Sequence, residues 1–165
     1  MAKALLTGSF DPITRGHFAL IQAASRAFDE VTVCMFINPD KTYTFTRENR
    51  LLFIREGIRE LNLGNVKADA CDGYVADYAR AHDIGVVVRG VRNASDVAYE
   101  LDMARYNRDR NPELETWLWV SSADDSGISS TAVRNALKNG VIPNEMLLSS
   151  TVKLIAENFG FVVSD

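Results

Sequence analysis

The chain has 165 residues, 47% hydrophobic and 24% charged, the balance of one globular domain. Gly and Pro number only 10 and 4, which excludes collagen-like, disordered and linker-rich chains. A formal net charge of −4 excludes a nucleic-acid coat but not a pocket for a small anion, since a ligand feels only its own surroundings.

In chain order, Ala4-Leu5-Leu6 reads as a short buried strand ending at Thr7-Gly8. Gly16 to Phe28 has helical spacing, and Val31 to Ile37 is a β-branched strand bounded by Asn38-Pro39. Thr46 caps a helix that stops near Gly64. Val66 to Ala70 is a weaker strand, Tyr74 to His82 a helix, and Gly85 to Val88 a dense apolar strand ending at Arg89-Gly90. Asp96 to Arg108 is helical up to Asn111-Pro112, and Trp117 to Val120 is a strand. Ser129 to Asn139 is a helix closed by Gly140, and Ser149 to Asn158 a last helix before the tail Phe161-Val162-Val163. Five βα units and a terminal helix predict a Rossmann-like α/β fold: one domain over 1–165, a doubly wound five-stranded parallel sheet with helices on both faces.

Cys34 and Cys71 lack CxxC spacing and read as small buried hydrophobes, so no oxidising compartment is implied. The run after Met1 is too short for a signal peptide, and no stretch approaches the roughly 18 residues of a spanning helix. The expectation is a soluble cytoplasmic protein with no membrane or nucleic-acid partner.

Ligands of such folds bind outside the carboxyl ends of the strands. After the first strand, Gly8 allows a sharp turn or a close approach, Asp11-Pro12 is turn chemistry, and Gly16-His17 opens a helix whose amino end favours phosphate. His17 is either a helix cap or a group facing a ligand. Neither the Walker A pattern nor G-x-G-x-x-G is present. Lys41, after the second strand, is a solvated charge or a phosphate ligand. Arg89 and Arg92 bracket Gly90 and suit planar phosphate oxygens. Asp96, Tyr99 and Glu100 either cap the next helix or reach a nucleotide. Ser129-Ser130-Thr131 is an N-cap or a second anion site, with Arg134 one turn further. No Ser-His-Asp set or metal cluster is recognisable, so phosphoryl or nucleotidyl transfer fits best.

The run Gly8-Ser9-Phe10-Asp11-Pro12-Ile13-Thr14-Arg15-Gly16-His17 resembles the signature of the bacterial phosphopantetheine adenylyltransferase family. Its Thr14-Arg15-Gly16-His17 is the T-x-G-H form of a wider nucleotidylyltransferase motif. Pro39-Asp40-Lys41, Arg89-Gly90-Val91-Arg92 with Asp96 and Tyr99-Glu100, Asn107-Arg108, Pro112-Glu113-Leu114-Glu115 and Ile128-Ser129-Ser130-Thr131 match in order and spacing. The resemblance implies AMP transfer from ATP to 4′-phosphopantetheine with Mg²⁺. The products would be dephospho-coenzyme A and pyrophosphate, with no covalent intermediate.

It implies catalytic roles for His17, at the α-phosphorus, and for Lys41. Ser9, Lys41, Val75 and Arg89 would hold phosphopantetheine. The ATP site would comprise Ser9, Phe10, His17, Gly90, Val91, Arg92 and Glu100 with Asp125, Ser126, Gly127, Ile128, Ser129, Ser130 and Thr131. No residue is assigned as a metal ligand. A homohexamer and feedback by coenzyme A are implied in the same way. Ser9 stands where the family usually has Thr, and Thr131 where Ser is common. Asp125 and Gly127 replace frequent aromatics, which puts adenine packing there in question, and Asp72-Gly73-Tyr74 departs on the pantetheine side. The rival readings are another enzyme of the superfamily, a non-catalytic nucleotide-binding module and a purely structural domain.

Overall fold

A computed structural model describes residues 1–121, 127–159 and 162–163. Five strands form one parallel sheet: β1 (Lys3–Gly8), β2 (Glu30–Ile37), β3 (Val66–Asp72), β4 (Val86–Val91) and β5 (Glu115–Val120). Their order is β3-β2-β1-β4-β5. The chain winds outward from β1 to β3, then returns to place β4 on the other side of β1. The topological switch point is therefore the crevice between β1 and β4, paired through Leu6 and Val88.

Alternation along the strands explains the two faces. Ala4 and Leu6, Val31, Val33 and Met35, and Val88 enter the larger core. There they meet α1 (Arg15–Ala27), α2 (Arg47–Glu60), α5 (Ser130–Lys138) and α6 (Ser149–Phe159) through Phe18, Ile21, Phe53, Ile54, Val133 and Ile155. Leu5, Cys34 and Val87 point the other way, to Ala76, Tyr78 and Ala79 of α3 (Val75–Ala81). Helix α4 (Ala94–Arg110) packs on β4, β5 and α3. Gly57 lets α2 approach α1, because a Cβ there would stand 2.1 Å from the Phe18 ring.

The doubly wound parallel fold is as expected, with corrections at the edges. β1 runs through Thr7 and Gly8, β3 reaches Asp72, and β4 continues through Arg89, Gly90 and Val91. Ladder bonds belong to the backbone, so β4 extends as far as β5 supplies partners, Arg89 opposite Leu118 and Val91 opposite Val120. Helices lie on both faces as expected, while the edge strand β5 leaves Trp117 54% and Val120 74% exposed. A two-stranded parallel pair, β6 (Val141–Ile142) with β7 (Val162–Val163), and a 3₁₀ turn at Asn144–Met146 were not expected. Phe161 lies outside the described residues. No helix among them is long and apolar enough to cross a membrane.

Candidate active site

The loop from β1 to α1 is held from several sides. The buried Asp11 carboxylate accepts the N–H groups of Thr44 and Phe45 at 2.8 and 2.9 Å, tying this loop to the one after β2. Phe10 is buried with φ of +46°, a left-handed backbone. Its ring meets that of His17 edge-on, centroids 5.2 Å apart. Gly8 is needed here for that ring rather than for a turn: a Cβ would stand 2.9 Å from Phe10 Cε1.

Thr14 caps α1 and closes a reciprocal box with His17. Thr14 Oγ1 accepts the His17 N–H at 3.5 Å, and the Thr14 N–H donates to His17 Nδ1 at 3.0 Å. One side of the His17 ring caps the helix, and the residue also lines the pocket. A backbone N–H cannot accept, so Nδ1 is the acceptor and Nε2 carries the proton of the neutral ring. Burial pulls the His17 pKa down to about 4, and the charges of Arg89 and Arg92 push the same way. At neutral pH the ring is an uncharged hydrogen-bond donor.

On β4, Arg89 is gripped by two partners. Nε and Nη2 bind the two oxygens of Glu100 at 2.8 Å each, and Nη1 reaches Thr7 O at 2.6 Å and Thr7 Oγ1 at 2.7 Å. Four of the five N–H donors of a guanidinium are thus engaged, and the fork is fixed in place. Glu100 is buried, with both oxygens on Arg89. Arg92 donates its backbone N–H and Nε to Asp96 at 2.9 and 3.2 Å, which holds the Asp96 carboxyl below its usual range.

At the start of α5, Ser129 is the N-cap and accepts the Ala132 N–H at 3.1 Å. Ser130 Oγ donates to Pro12 O at 2.7 Å, and Arg134 bridges Asp11 O at 2.7 Å and Thr131 Oγ1 at 3.1 Å. The hydroxyl row therefore fastens α5 to the β1–α1 loop.

These elements enclose a pocket of about 360 Å³ over the switch point. It brings together Phe10, His17, Arg89, Gly90, Arg92, Ile128, Ser129, Ser130 and Thr131. Gly16 also lines it, so the positive end of α1 faces the cavity. Ser9 is partly buried in the same loop, its carbonyl accepting from Arg50 Nη1 at 2.7 Å. Lys41 is exposed on the loop after β2 and does not line the pocket. Val75 packs against the smaller core, and Val91 is buried in β4. Neither lines the pocket, and Glu100 stands behind Arg89. Gly127 is exposed, and Asp125 and Ser126 lie outside the described residues.

Sequence reasoning missed Thr7, Trp119 and Ser121 in the lining, and Arg50 beneath it. Thr7 lies in β1 beyond the expected strand end, whereas Trp119 lies inside the strand expected from Trp117 to Val120, where only the residues after the strand were expected to meet a ligand. Arg50 had a signal, because it shares a helical face with Phe53, Ile54 and Gly57.

A charged pocket at the switch point of a doubly wound sheet defines a nucleotide-handling α/β domain. Residues 5–136 match the cytidylyltransferase-like family. A Clostridium novyi phosphopantetheine adenylyltransferase is 36% identical over 152 residues, covering 89% of this chain and 93% of that one. One from Symbiobacterium thermophilum is 36% identical over 159 residues, covering 96% and 97%. In fold, the chain is similar to a bifunctional NMN adenylyltransferase/ADP ribose pyrophosphatase from Francisella tularensis. The TM-score is 0.71 at 17% identity, over 96% of this chain and 50% of that one. The chain belongs to the phosphopantetheine adenylyltransferases, within the cytidylyltransferase-like family.

Proposed function

We propose that the chain catalyses reversible AMP transfer from ATP to 4′-phosphopantetheine, giving dephospho-coenzyme A and pyrophosphate in coenzyme A biosynthesis. Family membership supports the reaction, and one observation supports the chemistry: a neutral His17, its Nδ1 occupied, beside the fixed guanidinium of Arg89.

The acceptor phosphate is largely ionised at neutral pH, with a second pKa of about 6, so the attack needs no general base. One of its oxygens forms the new bond to the α-phosphorus, while the bond to the bridging oxygen of the β-phosphate breaks and pyrophosphate departs. The transfer is in line and direct, without a covalent enzyme intermediate. His17 Nε2–H donates to the charge growing on the α-phosphate, a donor already aimed before reaction. Arg89 offers its remaining N–H to the acceptor phosphate, and Glu100 keeps that guanidinium in place. Phe10, Gly90, Arg92 and Ile128 to Thr131 form the ATP side. Ser9 and Lys41 hold phosphate oxygens, with the Lys41 loop tied beside the β1–α1 loop through Asp11.

Mg²⁺ enters with ATP as part of the substrate. The triphosphate oxygens would hold it, and its charge would offset the repulsion met by the incoming phosphate. Val75 on the pantetheine side, coenzyme A as a feedback ligand and a cytoplasmic location complete the proposal. A homohexamer agrees with the apolar surface left bare on α4 and β5, where Tyr99, Leu101, Tyr106, Trp117 and Val120 are exposed.

Pyrophosphate release measured across acceptors tests the reading. Phosphopantetheine should support turnover well above nicotinate mononucleotide or a cytidylyl acceptor. A preference for either of those would overturn it.

A further inference from the structure

Arg50 is the largest fully buried side chain among the described residues, 2% exposed on the inner face of α2. Among the described residues its side-chain partners are uncharged: Nη1 donates to Ser9 O at 2.7 Å, and Cζ sits 3.8 Å above the centre of the Tyr43 ring. Nε is buried without a hydrogen-bond partner among the described residues. Burying a cation this way is costly, and an apolar side chain of similar volume would fill the space as well or better for stability. Packing alone does not account for an arginine here.

Its position suggests what does. Tyr43 Oη accepts the Asn38 N–H at 3.0 Å and donates to Asn38 O at 3.4 Å. Asn38 anchors the turn that carries Lys41, accepting the Asp40 N–H on Oδ1 at 2.9 Å and the Lys41 N–H on its carbonyl at 3.2 Å. An unbroken series of contacts thus runs from the Ser9 carbonyl through the Arg50 guanidinium and the Tyr43 ring to the turn of Lys41. We infer that Arg50 is a positioning residue for adenylyl transfer, holding the Ser9 loop and the Lys41 turn at a fixed separation through its carbonyl bond and its ring stack. This rests on the roles proposed above for Ser9 and Lys41.

The test is steady-state kinetics with thermal melting on the full chain. Wild-type turnover tests the reaction itself, and the variants test Arg50. Arg50→Met should melt no lower than wild type, with kcat down about 10²-fold and both KM values within roughly threefold, the signature of lost alignment. Arg50→Lys keeps the charge but not the planar fork, and should recover less than about a tenth of that loss. Tyr43→Phe keeps the stack and removes only the hydroxyl on Asn38. It should fold normally with kcat down about tenfold. Normal kcat in Arg50→Met or Tyr43→Phe would overturn the inference. So would full rescue by Lys, or activity lost only in step with folded protein.

Discussion

His17 shows how one side chain serves local structure and chemistry together. Capping fixes the ring by Nδ1, and burial keeps it neutral. Because its pKa falls to about 4 on folding, the unfolded chain takes up a proton below about pH 6.5 that the folded chain refuses. Stability contributed by this group is full above that pH and lost as the pH falls towards 4. An NMR titration of the free protein should give a His17 midpoint near 4. A midpoint near the ordinary value would reject the neutral-donor role. His17→Ala should cost roughly 10²–10³ in kcat and leave ATP affinity within about threefold. Affinity falling as steeply as rate would contradict it. Arg89→Ala should raise KM for phosphopantetheine, and Glu100→Gln should do so more mildly, since one arm of the fork is lost. Unchanged kinetics with that substrate would reject the assignment.

At the scale of elements, the site depends on loops tied to one another. Asp11 joins the loops after β1 and β2, while Ser130 and Arg134 join α5 to the same segment. Below them, α1 and α2 meet at Gly57. Gly57→Ala should destabilise the protein by about 1–3 kcal/mol through overpacking against Phe18, read as a lower denaturation midpoint. An unchanged midpoint would show that the helices separate freely. Much of this scaffold was legible, because apolar runs alternating with 3.6-residue periodicity suffice for a βα order. The strand ends were not, since β4 continues through Arg89 and Gly90 on backbone bonds that side-chain polarity does not reveal. A capping role for His17 was legible as one of two readings, but not the reciprocal box, which usually carries Glu or Gln at its position. The two-residue pairing of β6 with β7 carries no periodicity at all. Lys41 was placed on the site by its strand-end position as well as by resemblance and Val75 by resemblance alone, and neither lines the pocket.

For the whole molecule, a net charge of −4 coexists with a pocket lined by Arg89 and Arg92 at the centre of the sheet. A continuous apolar strand reads the same whether a helix or another chain covers it, which is why the bare edge at β5 was not foreseen. Sedimentation should find an assembly of six chains, and a monomer at working concentration would contradict the hexamer. The central claim is AMP transfer to phosphopantetheine, and product mass tests it most directly. Incubated with ATP, Mg²⁺ and 4′-phosphopantetheine, the protein should yield dephospho-coenzyme A and an equal amount of pyrophosphate. ATP consumed without that product, or no reaction with a folded protein, would contradict the account.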